Sequence, residues 1–122
     1  MILVDTSVWV DHLRRADATL IRLLGEGQVL THPFVIGEVA MGNLARRRLF
    51  LEDMRRLPLA LVASDPEAMS FMEREQLYGR GIGFADLHLL AATRLTPHTA
   101  LWSRDRRLRA IAVELGLASS PN

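Results

Sequence analysis

The 122-residue chain contains no cysteine and no lysine. Without cysteine, the protein can form no disulfide, no thiolate metal site and no cysteine nucleophile, so the fold must be held together by packing. All 15 basic residues are therefore arginine. Arginine is the better bidentate ligand for phosphate, which favours a nucleic-acid partner, but a GC-rich genome would produce the same bias. Composition alone decides nothing about RNA.

Long apolar runs are also missing. No uninterrupted stretch approaches the roughly 18 residues of a membrane span, and the start MILVDTS lacks the basic region of a signal peptide. We therefore expect a soluble, cytoplasmic protein with no membrane partner. A chain of this length with 49% hydrophobic residues has room for one core, which predicts a single domain over residues 1–122.

Short apolar runs alternate with segments of helical periodicity. Strands are predicted at residues 2–4, 28–31, 59–62 and 99–103. One of the helices between them is expected from residue 34 to about 45, and another begins at Ser64 with a cap, a proline and an acid in its first turn. This alternation predicts an α/β fold in which helices flank a short central parallel sheet on both faces.

Four acidic residues stand in apolar surroundings, two after strand candidates and two near the starts of apolar helices: Asp5, Asp105, Glu38 and Asp86. In a parallel sheet, strand carboxyl ends and helix amino ends share one edge, where ligand sites collect. Clustered carboxylates repel one another unless a cation neutralises them, and oxygen ligands suit Mg²⁺ or Mn²⁺. Such a site can activate water for phosphodiester hydrolysis.

A simpler interpretation exists for some of these acids. Asp5 and Asp105 could act only as helix caps. Glu38 fits that interpretation least, because its neighbours Val35, Val39 and Met41 are expected to bury it.

Four segments carry a family resemblance: MILVDTSVWVDHLR, HPFVIGEVAMGNL, LYGRGIGFADLHLLAA and LWSRDRRLRAIAVELGL. Together they closely resemble VapC-type toxins of the PIN-domain family, in the right order and over nearly the whole chain. The resemblance implies a PIN-like fold and Mg²⁺-dependent endoribonuclease activity, with Mn²⁺ as a possible substitute. It also implies a role as the toxin of a type II toxin–antitoxin system, a VapB-like antitoxin as partner, and a homodimer.

The resemblance also assigns site residues. Asp5, Glu38, Asp86 and Asp105 match the family's acidic metal-binding quartet. Thr6 matches the hydroxyl position after the first acid. Ser103 stands where many relatives have threonine and keeps the hydroxyl, so both are candidate catalytic-site residues.

Three of the arginines around the last acid are candidate RNA contacts: Arg104, Arg106 and Arg107. Cations at the start of a helix oppose its dipole, and this local conflict indicates RNA phosphate binding. The alternative is a solvated helix face.

Other functional classes fit less well. A non-catalytic PIN-like RNA-binding module remains an alternative, although all four acids are retained. A phosphoryl-accepting receiver domain needs a lysine late in the chain, and this chain has none. The glycines of GRGIG match no phosphate-binding fingerprint and are interpreted as a turn. The histidines show no metal-ligand spacing, which favours structural roles.

Overall fold

A computed structural model describes residues 1–119 of the chain. Within them, three strands alternate with seven helices, as the sequence predicts for an α/β fold. In chain order the elements are β1 (Ile2–Val4), α1 (Thr6–Arg14), α2 (Ala18–Gly25), β2 (Val29–Leu30), α3 (Pro33–Ala40), α4 (Arg47–Arg56), α5 (Asp65–Glu75), α6 (Phe84–Leu95), β3 (Ala100–Trp102) and α7 (Arg106–Glu114). None of the helices in this part of the chain is long and apolar enough to cross a membrane.

The strands form one parallel sheet with the order β2-β1-β3. Ile2 of the central strand pairs with Val29 on one side and with Ala100 on the other. Leu3 and Val4 are fully buried, because helices cover both faces of the central strand. All three strands run in the same direction, so their carboxyl ends lie at one edge of the sheet.

The strand predicted at residues 59–62 is wrong. Leu59 forms only an isolated bridge with Thr31, and the side chains of Leu59, Leu61 and Val62 are at least half exposed. Ala60 is buried and donates its N–H to the Thr31 carbonyl, and the Thr31 N–H donates to the carbonyl of Pro58, so the pairing at the sheet edge is confined to Thr31. The apolar run therefore crosses the edge of the sheet without extending it.

The helix starts were better predicted than the helix ends. Ser64 and Glu67 form a reciprocal capping box at the start of α5, as the sequence indicates. In contrast, α3 ends at Ala40 and does not continue to residue 45. Gly42 follows within two residues, and the low helix propensity of glycine explains the early end. The GRGIG segment is a turn, with positive φ at Gly79 and Gly81.

Two buried histidines lie where α3, α5 and α6 meet. His32 caps α3, because its Nδ1 accepts the N–H of Phe34 at 3.0 Å. His88 is also buried, and its Nε2 lies 3.0 Å from Oδ1 of Asp65 at the start of α5. Burial, and secondarily the positive charge of a protonated His88, lower the pKa of His32 to about 4. Folding therefore keeps His32 neutral at physiological pH.

We expect acid to destabilise the protein through His32. Below its ordinary pKa of 6.5, the unfolded chain binds a proton that the folded chain resists down to about pH 4. The free energy of unfolding should therefore fall with decreasing pH across this window, by up to about 1.4 kcal/mol per pH unit from this group. Urea unfolding of the wild type and of His32→Asn, whose side-chain oxygen can still cap α3, measures the effect.

The free energy of unfolding of His32→Asn should depend less steeply on pH than that of the wild type. Contributions from other titrating groups are common to both proteins and cancel in the difference. Equal slopes for the two proteins between about pH 7 and pH 4 would contradict the assignment to His32.

Candidate active site

Asp5 lies at the carboxyl end of the central strand and is buried. Its Oδ2 accepts the hydroxyl of Ser7 at 2.7 Å and the hydroxyl of Ser103 at 2.8 Å. The same oxygen receives the backbone N–H of Ser7, which makes Asp5 the N-cap of α1. These three donors all reach Oδ2, so they fix the carboxylate through one of its two oxygens.

Asp105 lies beside Asp5, at the end of the neighbouring strand β3. It is the exposed N-cap of α7, and its Oδ1 accepts the N–H of Leu108 at 3.0 Å. The hydroxyl of Ser103 links the two acids, since it donates to Asp5 and accepts the backbone N–H of Asp105 at 3.0 Å. Ser103 is thus a positioning residue for both carboxylates.

Asp86 is the third residue of α6 and is partly buried. Its Oδ2 accepts the N–H of Gly83 at 3.1 Å, which caps the helix. Burial raises the pKa of Asp86 above its ordinary value despite this hydrogen bond, and the negative charges of Asp5, Asp105 and Glu38 raise it further. The other three predicted acids are therefore all close enough to Asp86 to repel its negative charge.

Glu38 belongs to this cluster but is not buried, contrary to the expectation from its neighbours. It lies on the exposed side of α3, while Val35 and Val39 occupy the buried side. Met41, the other expected neighbour, is 88% exposed. The Thr6 hydroxyl donates to Oε1 of Glu38 at 2.7 Å and so ties this carboxylate to the residue after Asp5.

The cluster suits a hard divalent cation in its chemistry, because its side-chain donors are carboxylate oxygens. Within residues 1–119, no three acidic or histidine side chains are already arranged to hold an ion together. This does not conflict with Mg²⁺, which usually keeps several waters and takes only one or two carboxylates from the protein. A bound cation would relieve the repulsion that Asp5, Asp105 and Glu38 exert on Asp86.

Arg104 makes contacts within the chain that the sequence analysis did not foresee. Its guanidinium forms ion pairs with Asp11 and Asp17 and lies over the Trp102 ring at 5.4 Å. Its backbone N–H donates to the Ser7 hydroxyl at 2.9 Å. These contacts join β3 to the region between α1 and α2, and they favour a structural role for Arg104.

The other two arginines of this group are exposed. Arg107 extends against Gly81, where an added Cβ would come within 2.6 Å of its Nη1. The guanidinium therefore lies on the glycine loop that precedes Asp86. Contact of Arg104, Arg106 and Arg107 with RNA stays a prediction.

Sequence analysis missed Ser7 as a site residue. Its hydroxyl contacts Asp5 and lies 3.4 Å from the Ser103 hydroxyl. The spacing of a serine two residues after a capping aspartate was an available signal, since such side chains bond locally near helix starts.

The chain is similar in sequence to known proteins along most of its length. The sequence pattern of the PIN domain matches residues 2–114, and the chain belongs to the PIN domain family. Over 118 residues it is 43% identical to Ribonuclease VapC32 of Mycobacterium tuberculosis, in both strain CDC 1551 / Oshkosh and strain ATCC 25618 / H37Rv. Each match covers 97% of this chain and 95% of the relative.

We expect Arg104→Ala to destabilise the fold by about 1 kcal/mol, because it leaves Asp17 and Asp11 without their cation at a partly exposed site. Arg106→Ala is the matched control, since Arg106 is an exposed cation in the first turn of α7 and opposes the helix dipole. Its removal should be neutral or slightly stabilising. Urea unfolding of both variants measures the difference, and equal stability would contradict the structural role.

Proposed function

We propose that this chain is a Mg²⁺-dependent endoribonuclease that acts as the toxin of a type II toxin–antitoxin pair. The observation that carries the proposal is the convergence of four acids that are widely separated in sequence: burial raises the pKa of Asp86, and the charges of Asp5, Asp105 and Glu38 raise it further. Membership of the PIN domain family and a relative named a ribonuclease support the same activity. RNA is accordingly the proposed substrate.

The acids have distinct proposed roles. Asp5 and Asp86 are the first candidates to hold the ion, and Asp105 and Glu38 complete the site or orient the attacking water. The bound ion, Mg²⁺ or in its place Mn²⁺, supplies Lewis-acid activation of water and stabilises charge on the phosphodiester. The oxygen-only donor set fits either ion.

Hydroxyl groups of the chain hold two of the carboxylates in fixed orientations. Ser7 and Ser103 hold Oδ2 of Asp5, and Thr6 holds Oε1 of Glu38. A preorganised carboxylate does not have to be reoriented during the reaction, which is the main benefit of a fixed polar site. Ser103 and Thr6 are thus proposed as positioning residues.

Exposed arginines supply the proposed RNA contacts. Arg106 and Arg107 follow Asp105 directly, so an RNA phosphate placed at the acids would lie near them. The alternative of a non-catalytic RNA-binding module would need the arginines and not the acids. Retention of the whole acidic cluster, with hydroxyl groups that hold two of its members, favours catalysis.

We expect Asp5→Asn and Asp86→Asn to reduce Mg²⁺-dependent RNA cleavage by orders of magnitude, because each removes a charge that the ion needs. The fold should survive, and Asp86→Asn should unfold at the wild-type temperature or above, because repulsion within the metal-free cluster is relieved. Asp53→Asn, an exposed acid on α4, is the control. Wild-type cleavage by both variants would overturn the proposed site.

A VapB-like antitoxin is the proposed partner, and the acids indicate how it inhibits. Without metal, clustered carboxylates attract a guanidinium, which pairs bidentately with such groups. An antitoxin arginine and Mg²⁺ would then compete for the same oxygens. A homodimer stays a prediction.

We expect inhibition by the antitoxin to weaken as Mg²⁺ is raised, and to weaken further when the inserted arginine is replaced by a neutral residue. Cleavage assays with antitoxin titrated at several Mg²⁺ concentrations measure both effects. Equal inhibition by the wild-type and arginine-free antitoxins, independent of Mg²⁺, would contradict insertion into the site and leave the ribonuclease assignment intact.

A further inference from the structure

An apolar groove of about 380 Å³ lies directly beside the acidic cluster. Phe34 and Phe84 line it together with Gly37, Met41 and Glu38. Glu38 is therefore shared between the groove and the cluster. The two phenylalanines are carried by the same helices as the acids, since Phe34 is four residues before Glu38 on α3 and Phe84 is two residues before Asp86 on α6.

Both aromatic rings are exposed and yet held in place. Phe34 is 36% exposed and Phe84 is 46% exposed. Each ring packs in a T-shaped arrangement on the buried ring of His88, at centroid distances of 4.9 Å and 4.7 Å. His88 is in turn hydrogen-bonded to the side chain of Asp65. Each phenylalanine is thus anchored by a common buried ring while part of its surface faces solvent.

Exposed aromatic rings beside the acids are suited to contact the unpaired bases of single-stranded RNA. Unpaired bases stack on aromatic side chains, which accept any base because every base has a π-face. Base-paired RNA keeps its bases inside the helix and cannot use such a surface. A strand whose phosphate lies at the acids would bring a neighbouring base to a groove that shares Glu38 with them.

We infer that Phe34 and Phe84 form a stacking platform for one unpaired nucleobase of the RNA, next to the phosphate that is cleaved. This inference rests on the proposed ribonuclease function. The platform selects unpaired or extruded nucleotides at a fixed distance from the cleaved bond, and it supplies stacking energy without reading the identity of the base.

The test uses single-stranded RNA oligonucleotides that the wild type cleaves with Mg²⁺ at one mapped bond, and matching oligonucleotides in which each nucleotide near that bond is made abasic in turn. Binding is measured with Ca²⁺ in place of Mg²⁺, and cleavage with Mg²⁺. The protein variants are Phe34→Leu and Phe84→Leu, which keep apolar bulk without an aromatic face, and Phe84→Trp, which keeps the face. Leu49→Ala, at an exposed apolar residue of α4, is the control.

We expect one abasic position to weaken wild-type binding by about tenfold, in line with the usual contribution of one stacked base. Phe84→Leu and Phe34→Leu should weaken binding of the intact RNA several-fold but have little effect on that one abasic RNA. Phe84→Trp should bind the intact RNA like the wild type, and so should Leu49→Ala. A general folding defect would instead weaken binding of every RNA equally, which the abasic comparison distinguishes.

Two results would overturn the platform. The leucine variants could bind intact RNA like the wild type, or lose the same factor with intact and abasic RNA. In the first case, a shift of the oligomeric state in light scattering would identify the groove as an interface between copies of this chain. Failure of the wild type to cleave any RNA would instead contradict the proposed function, so the two failures are distinguishable.

Discussion

The site depends on the burial of one carboxylate at the end of the central strand. Asp5 is only 4% exposed, and burying an ionised carboxylate is costly unless hydrogen bonds or a cation compensate. The hydroxyls of Ser7 and Ser103 provide that compensation at Oδ2. Because Ser103 also accepts the N–H of Asp105, the same network sets where β3 ends and α7 begins. Two of the four acids are thus positioned by one small network between adjacent strands.

Sequence reasoning succeeded where local patterns decide the outcome. Alternating strands and helices, the capped helix start at Ser64 and the grouping of the four acids follow from periodicity, capping chemistry and the direction of parallel strands. It failed where packing against distant segments decides. Residues 59–62 have strand-like composition but meet only Thr31 at the sheet edge, and Glu38 has apolar neighbours that turn away from it on the helix.

The charges and rings around the site show a second limit of sequence reasoning. Arg104 looks like its neighbours Arg106 and Arg107 in sequence, but its partners Asp11 and Asp17 are 93 and 87 residues away along the chain. Phe34 and Phe84 are likewise 50 residues apart in sequence, yet both pack on the buried ring of His88 and line the same groove. Residue type predicts the kind of contact that an arginine can make. Only the fold decides whether that arginine forms ion pairs within the chain or is exposed to solvent.

Helix capping by these acids does not exclude the proposed metal binding. Asp5 and Asp105 are N-caps of α1 and α7, and Asp86 caps α6 from its third position. At all three places the helix dipole and backbone N–H groups favour a negative charge, which offsets part of the repulsion between the acids before any cation binds. Glu38 lies within α3, away from the N-terminus of that helix. Its negative charge is instead stabilised by solvent and by the hydrogen bond from the Thr6 hydroxyl. The fold can therefore gather four carboxylates at one edge without depending on metal for its stability, and the repulsion that remains at Asp86 is what a cation would relieve.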